Sequence, residues 1–195
     1  MNKMKSLIIA GMICCLPQIA CNAEGNHNTD KVVDIAQNAA SAKVFNIADV
    51  KTNGENKAAN FSWTENGKNY TFAEYTKGKV VFLNFWGTWC PPCKAEIPDI
   101  IEISNDLQGK DFVVIGMASE RPNTKDPLTT VSDFASDKEI PYHVFVSNKE
   151  IRDAFGGIPF IPITFIIDKD GNIVETLNGM KTKEEFMSSI NKVLK

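Results

Sequence analysis

Hydrophobic residues in the C-terminal two thirds of the chain follow the periods of strands and helices. Two continuous apolar runs, at 80–85 and 112–117, have the pattern of strands that are buried on both faces. The segments 61–64 and 70–72 flank an Asn-Gly pair, which predicts a hairpin with a tight turn. Three shorter strands are predicted at 144–146, 163–167 and 173–177.

Start and stop signals place helices between these strands. Asp126 and Pro127 form an N-cap and N1 pair, and Thr182 with Glu185 forms a capping box. Helices are therefore expected at 91–107, 127–138 and 151–155, and after Thr182. This order of elements predicts an α/β fold, in which a central mixed β-sheet is flanked by helices and carries an N-terminal β-hairpin extension.

The first 23 residues have the pattern of an export signal. Lys3 and Lys5 precede an apolar segment at 6–16, which is too short to span a bilayer comfortably. Cleavage after Ala23 would leave small residues at the −1 and −3 positions. Two alternatives stay open: an uncleaved membrane anchor, and a lipoprotein leader that ends at Cys21.

Length and charge limit the remaining possibilities. Residues 24–45 are polar with weak periodicity and are expected to be a linker or arm, which leaves 46–195 for one domain. The net charge of −3 gives no basic face for nucleic acid or for an anionic membrane surface. We expect a monomer in the periplasm or cell envelope.

The cysteines indicate a redox site. Of the five in the chain, three lie in or beside the leader, so a processed chain keeps Cys90 and Cys93. A loop of that size constrains little of the unfolded chain, and a chemical role is therefore expected. Both residues stand where a buried strand gives way to a helix, whose free N–H groups and dipole stabilise a thiolate. Cys90 is expected to be the exposed N-cap and nucleophile, and Cys93 the covered, resolving thiol.

Other uses of the pair stay open at this point. It could be an inert structural disulfide, or part of a copper-binding chaperone's site with His143, although a zinc site would need more ligands. A thiol peroxidase would place an activated cysteine beside a threonine and an arginine. Thr88 is near in sequence, but Arg121 and Arg152 have no motif around them.

Four segments carry a resemblance to a known family. They are Val-Val-Phe-Leu-Asn-Phe-Trp at 80–86, Trp-Cys-Pro-Pro-Cys at 89–93, Glu-Ile-Pro at 96–98 and Ile-Pro-Ile-Thr-Phe-Ile-Ile-Asp at 161–168. Together they resemble the TlpA/ResA/CcmG group of exported thioredoxin-like reductases, over about residues 61–195. The resemblance implies a thioredoxin-like fold and reduction of disulfides in exported proteins, with apo-cytochrome c as a client. It also implies a membrane thiol electron donor, and no cofactor or metal besides the dithiol.

The resemblance assigns roles around the dithiol. Pro162 lies where the family has a cis proline, with Pro159 as a nearby alternative, and the peptide groups of Ile161 would pair with an extended client. Trp89, beside Cys90, is expected to be a partly exposed lid. These residues, together with the dipeptide between the cysteines, form the expected substrate-binding surface: Trp89, Pro91, Pro92, Ile161 and Pro162.

A proton carrier is the last expected component. In the family, a buried acid at the position of Glu96 is thought to move the proton of Cys93, and burial would raise its pKa toward neutrality. The alternative for Glu96 is a solvated charge on the helix surface. Asn84 stands where ordinary thioredoxins carry an aspartate, and an amide cannot take up a proton.

Overall fold

The computed structural model describes residues 43–194, which form two sheets and a set of helices. The strands are β1 Val44–Asn46, β2 Val50–Lys51, β3 Asn60–Glu65, β4 Lys68–Thr71, β5 Val80–Trp86, β6 Phe112–Ala118, β7 His143–Val146, β8 Ile163–Ile167 and β9 Ile173–Asn178. The helices are α1 Phe72–Tyr75, α2 Pro91–Asp106, α3 Pro127–Asp137, α4 Lys149–Ala154 and α5 Lys183–Val193.

The larger sheet is mixed and has the order β1-β7-β6-β5-β8-β9. Strands β1, β7, β6 and β5 run parallel, whereas β8 and β9 are antiparallel additions. The smaller antiparallel sheet, β2-β3-β4, contains the predicted hairpin. The α/β class with a mixed sheet is therefore confirmed. Because β5 and β6 are parallel neighbours, the residues that follow them meet at one edge of the sheet.

Strand β5 divides the hydrophobic core into two layers. All of its residues are buried, as the continuous apolar run predicts. On one face, Phe82 and Trp86 pack toward α2, α3 and α5, with the Phe82 ring 4.9 Å from that of Phe186. On the other face, Leu83 and Phe85 pack toward the smaller sheet, α1 and α4. The C-terminal end of β5, which precedes the cysteines, is therefore packed on both faces of the sheet.

The three long helices begin at the side-chain caps that the sequence predicts. The Asp126 carboxylate accepts from the N–H of Thr129 at 3.1 Å, and Thr182 and Glu185 form the capping box. Cys90 is the N-cap of α2. These caps satisfy N–H groups that the first helical turn leaves without partners.

The N-terminal boundary differs from the expectation. Val44 and Phe45, assigned above to the linker or arm, lie in β1, which pairs with β7 at the edge of the larger sheet. Strands β1 and β2 and helix α1 were not predicted, because two to four residues are too few to show a period. The leader at 1–23 and residues 24–42 of the arm lie outside the described residues. Within the described range, no helix is long and apolar enough to cross a membrane.

Candidate active site

The two cysteines form a disulfide at the start of α2. Their Cα atoms are 5.3 Å apart, and the N–H of Cys93 points at the Cys90 sulfur with an N–S distance of 3.3 Å. The N–H of Lys94 donates to the backbone carbonyl of Cys90 instead, at 3.1 Å. Pro91 and Pro92 have no N–H. A single backbone donor of the first helical turn is therefore aimed at the sulfur.

The expected exposure of Cys90 is wrong for this oxidised state. Only 3% of Cys90 is exposed, and Cys93 is fully buried. Two contacts cover it: the Cys90 sulfur is bonded to the buried sulfur of Cys93, and the carbonyl oxygen of Ile161, from a loop distant in sequence, lies 3.9 Å from it. Trp89, which precedes Cys90, and Phe160, which precedes Ile161, are by contrast 40% and 51% exposed, so the residues next in sequence to this contact present apolar surface.

The loop before β8 supplies that cover. The Ile161–Pro162 peptide bond is cis, at the position taken from the resemblance, and the bond before Pro159 is not. The carbonyl of Pro162 accepts from the N–H of Gly179 at 2.9 Å. The N–H of Ile161 makes no hydrogen bond to another described residue. Beside the dithiol, the Ile161 N–H is therefore a donor that residues 43–194 leave unpaired.

Glu96 lies inside the protein on the same face of α2 as Cys93, one turn further along. Only 1% of it is exposed, and its carboxylate accepts from the amide of Asn84 at 2.9 Å and from the N–H of Lys181 at 3.3 Å. The Asn84 amide also donates to the Thr164 hydroxyl at 3.0 Å. Burial raises the pKa of Glu96 to about 7, against the opposing effect of the bond from Asn84. The solvated alternative for Glu96 is excluded.

The loop after β6 contacts the loop that leads to Cys90. Both oxygens of the Glu120 carboxylate accept from Thr88, one from its N–H and one from its hydroxyl, each at 2.8 Å. The indole N–H of Trp89 donates to the carbonyl of Ser119 at 3.0 Å. Sequence reasoning missed these contacts. The available signal was topological, because the residues after two parallel neighbouring strands meet at one sheet edge.

Gly87 leaves the space that this arrangement needs. A Cβ atom at that position would lie 2.8 Å from the Trp89 indole nitrogen, 2.9 Å from the Ser119 carbonyl and 3.1 Å from the Ile161 side chain. We expect Gly87→Ala to displace Trp89 and to lower the free energy of unfolding by about 1–3 kcal/mol, as overpacking does. Tryptophan emission and urea unfolding measure both effects. Wild-type values for both would contradict the close packing.

Of the residues considered for a thiol peroxidase, Thr88 and Arg121 lie close together beside the dithiol, because Thr88 is bonded to Glu120 and Arg121 lies over Trp89. Thr88 is held by Glu120, and Arg152 contacts Ser147 on the neighbouring strand end. Arg121 stacks on Trp89, with its guanidinium carbon 4.8 Å from the ring centre. His143 begins β7, two strands away from β5 in the sheet, and its Nδ1 is hydrogen-bonded to the Tyr75 hydroxyl at 3.0 Å. Among residues 43–194, no three His, Cys, Asp or Glu side chains are grouped as metal ligands.

Comparison with known proteins agrees with this geometry. Residues 51–194 match the sequence model of the Redoxin family. The thiol-disulfide oxidoreductase ResA of Bacillus thuringiensis subsp. konkukian is 33% identical over 139 residues, which cover 70% of this chain and 76% of that protein. ResA of Bacillus subtilis is 32% identical over 127 residues, covering 65% and 67%.

A solved structure extends the agreement to the fold. The thiol:disulfide interchange protein of the thioredoxin family from Chlorobium tepidum aligns with a TM-score of 0.62 at 30% identity. The alignment covers 76% of this chain and all of that one. The thioredoxin-like fold predicted from the resemblance is thereby confirmed.

Proposed function

This chain belongs to the ResA-like thiol–disulfide oxidoreductases of the Redoxin family, and we propose from that premise that it works as a reductase of disulfides in exported proteins. The observation that carries the proposal is the setting of Cys90. Its sulfur is the N-cap of a helix, where it receives one backbone N–H, it lies beside the carbonyl of Ile161, and the exposed Trp89 precedes it in the chain. That setting suits attack on a disulfide within an extended polypeptide.

The reaction needs two thiol–disulfide exchanges. The Cys90 thiolate attacks one sulfur of the client disulfide, which forms a mixed disulfide and releases the first client thiolate. The Cys93 thiolate then attacks the Cys90 sulfur, releases the second client thiolate and leaves the Cys90–Cys93 disulfide. The client gains two electrons, and the protein loses two, which a membrane dithiol donor then restores.

Glu96 is proposed to take the proton of Cys93 in the second exchange. A carboxyl group with a pKa of about 7 is ionised often enough to accept a proton at neutral pH, and protonated often enough to return it. The position of Glu96 one turn from Cys93 supports this role. Asn84, which bonds to the same carboxylate, would orient it without carrying a proton.

Substrate binding is proposed to use the residues around the sulfur. The N–H of Ile161, which has no partner in the described part of the chain and lies next to cis Pro162, would pair with the client backbone as in strand addition. Exposed Trp89, Pro91 and Pro92 would cover the apolar side chains of the client. By family analogy, oxidised apo-cytochrome c is one client, reached in the periplasm or cell envelope. The mass of the mature N-terminus distinguishes cleavage after Ala23 from lipidation at Cys21.

The two prolines predict that electrons flow from this protein to its client. A measurement of the redox potential of the Cys90–Cys93 pair therefore tests the proposal. With one N–H aimed at the sulfur, the Cys90 thiolate is weakly stabilised, and a weakly stabilised reduced state makes the pair reducing. Equilibration with glutathione buffers, followed by alkylation and mass analysis, measures the potential. We expect a value well below that of strong oxidants; a value near about −120 mV would contradict the reductase role.

A further inference from the structure

A three-residue segment, Ser119 to Arg121, is fixed against the loop that carries the nucleophile. Trp86 and Ala118 are paired in the β5–β6 register, so the residues that follow them leave the sheet side by side. The Ser119 carbonyl holds the indole N–H of Trp89, and Glu120 holds Thr88 through both carboxylate oxygens. Arg121 is the third member of this segment, and its position is set by the contacts of the other two.

Arg121 carries a charge that no described carboxylate balances at short range. Its side chain is exposed, and within residues 43–194 no carboxylate oxygen lies within 4.0 Å of its guanidinium. Both oxygens of adjacent Glu120 are directed to Thr88. The guanidinium instead lies over the face of Trp89, the residue that immediately precedes Cys90.

The exposed cation Arg121 lies next in the chain to Glu120, whose partly buried carboxylate is the negative charge of this segment. Exposed Lys94 follows Cys93 at the start of α2 and adds a second cation at this end of the helix. The chain as a whole carries a net charge of −3. An incoming polypeptide that meets Trp89 therefore meets a cation held against the same ring.

We propose that Arg121 is a specificity-determining residue that favours client segments with an acidic side chain next to the reacting cysteine. The inference rests on the proposed disulfide reduction and names the substrate class of that same site. A carboxylate beside the client cysteine would pair with the guanidinium as the client covers Trp89. Charges at the rim of an interface act on association rate and on partner choice, and salt screens them.

The test compares peptides that differ only in charge. Three peptides of equal length, each closed by one Cys-x-x-Cys disulfide, carry Asp-Asp, Asn-Asn or Lys-Lys before the first cysteine. Pre-reduced protein is mixed with each peptide, and acid-quenched samples give the second-order rate constant. For wild type we expect the acidic peptide to react roughly fivefold faster than the basic one at low salt, as exposed ion pairs allow. The ratio should shrink in 0.5 M salt, where the Debye length is only about 4 Å.

Variants assign the preference to Arg121. Arg121→Glu should reverse the acidic-to-basic ratio, and Arg121→Lys should retain its direction. Lys110→Glu makes the same change of charge at an exposed position that precedes β6, at the other end of the sheet, and should keep the wild-type ratio. Equal ratios in wild type and Arg121→Glu, with the Asn-Asn peptide still reduced, would overturn this inference alone. If wild type reduced none of the three peptides, the proposed function itself would fail.

Discussion

Replacing Cys90 by serine is expected to lower disulfide reduction to the uncatalysed rate, whereas replacing Cys93 by serine should stop the reaction halfway. The reason is the asymmetry of the pair at the start of α2. The Cys90 sulfur receives the helix N–H and faces the Ile161 backbone, whereas Cys93 is fully buried. A hydroxyl in place of Cys90 provides no thiolate for the first exchange. The Cys93→Ser protein still forms the mixed disulfide but has no thiol to resolve it.

Dithiothreitol-coupled reduction of insulin measures turnover, and non-reducing electrophoresis with mass analysis measures the trapped adduct. Cys93→Ser should accumulate one client per chain, attached through Cys90. The doubly substituted protein, Cys90→Ser with Cys93→Ser, is the matched control for both variants, because it also lacks the disulfide and should form no adduct. An adduct that forms on Cys93 in the Cys90→Ser protein at the wild-type rate would reverse the assigned order of attack.

The parts of this site that sequence predicts are contiguous in the chain. The N-cap at Cys90 follows from local helix-start rules, and the buried strand β5 from a run of apolar residues. The cis bond before Pro162 was expected only through the family resemblance, since its segment has no other local signal. Short patterns of this kind depend on neighbours in sequence, so they need no knowledge of the tertiary fold.

The parts that sequence misses depend on which strands pair. The Glu120 contact with Thr88 joins residues 32 positions apart, and it exists because β5 and β6 are neighbours in register. The burial of Glu96 was expected only through the family resemblance, because its carboxylate accepts from the N–H of Lys181, which is 85 positions away. The mistaken exposure of Cys90 has the same origin, because the Ile161 loop that covers the sulfur is 71 positions away.

Glu96 is expected to make the stability of the oxidised protein fall as pH rises. Burial raises the pKa of this carboxyl from 4.5 to about 7 in the folded protein, so the folded chain keeps a proton that the unfolded chain has already lost. The contribution to stability is full below the unfolded pKa, decreases between the two pKa values, and is lost once pH passes the folded pKa. At about 1.4 kcal/mol per pKa unit, the loss is on the order of 3 kcal/mol between pH 4.5 and 8.5.

Urea unfolding of the oxidised protein at pH 4.5 and 8.5 tests this, with Glu96→Gln and Glu102→Gln as the compared variants. Glutamine does not titrate, so the Glu96→Gln protein should lose the part of the stability decrease that belongs to Glu96. Glu102 is exposed on the same helix, so the Glu102→Gln protein should keep that decrease. Glu96→Gln should also remove the inflection near pH 7 from the pH profile of the rate at which the mixed disulfide is resolved. A glutamate with a purely structural role would not produce such an inflection. If Glu96→Gln unfolded with the wild-type pH dependence, the carboxyl would have to be ionised in the folded protein across this range. A carboxylate of that kind would be too weak a base to hold the proton of Cys93 near neutral pH, and the proton would then have to leave Cys93 by way of water.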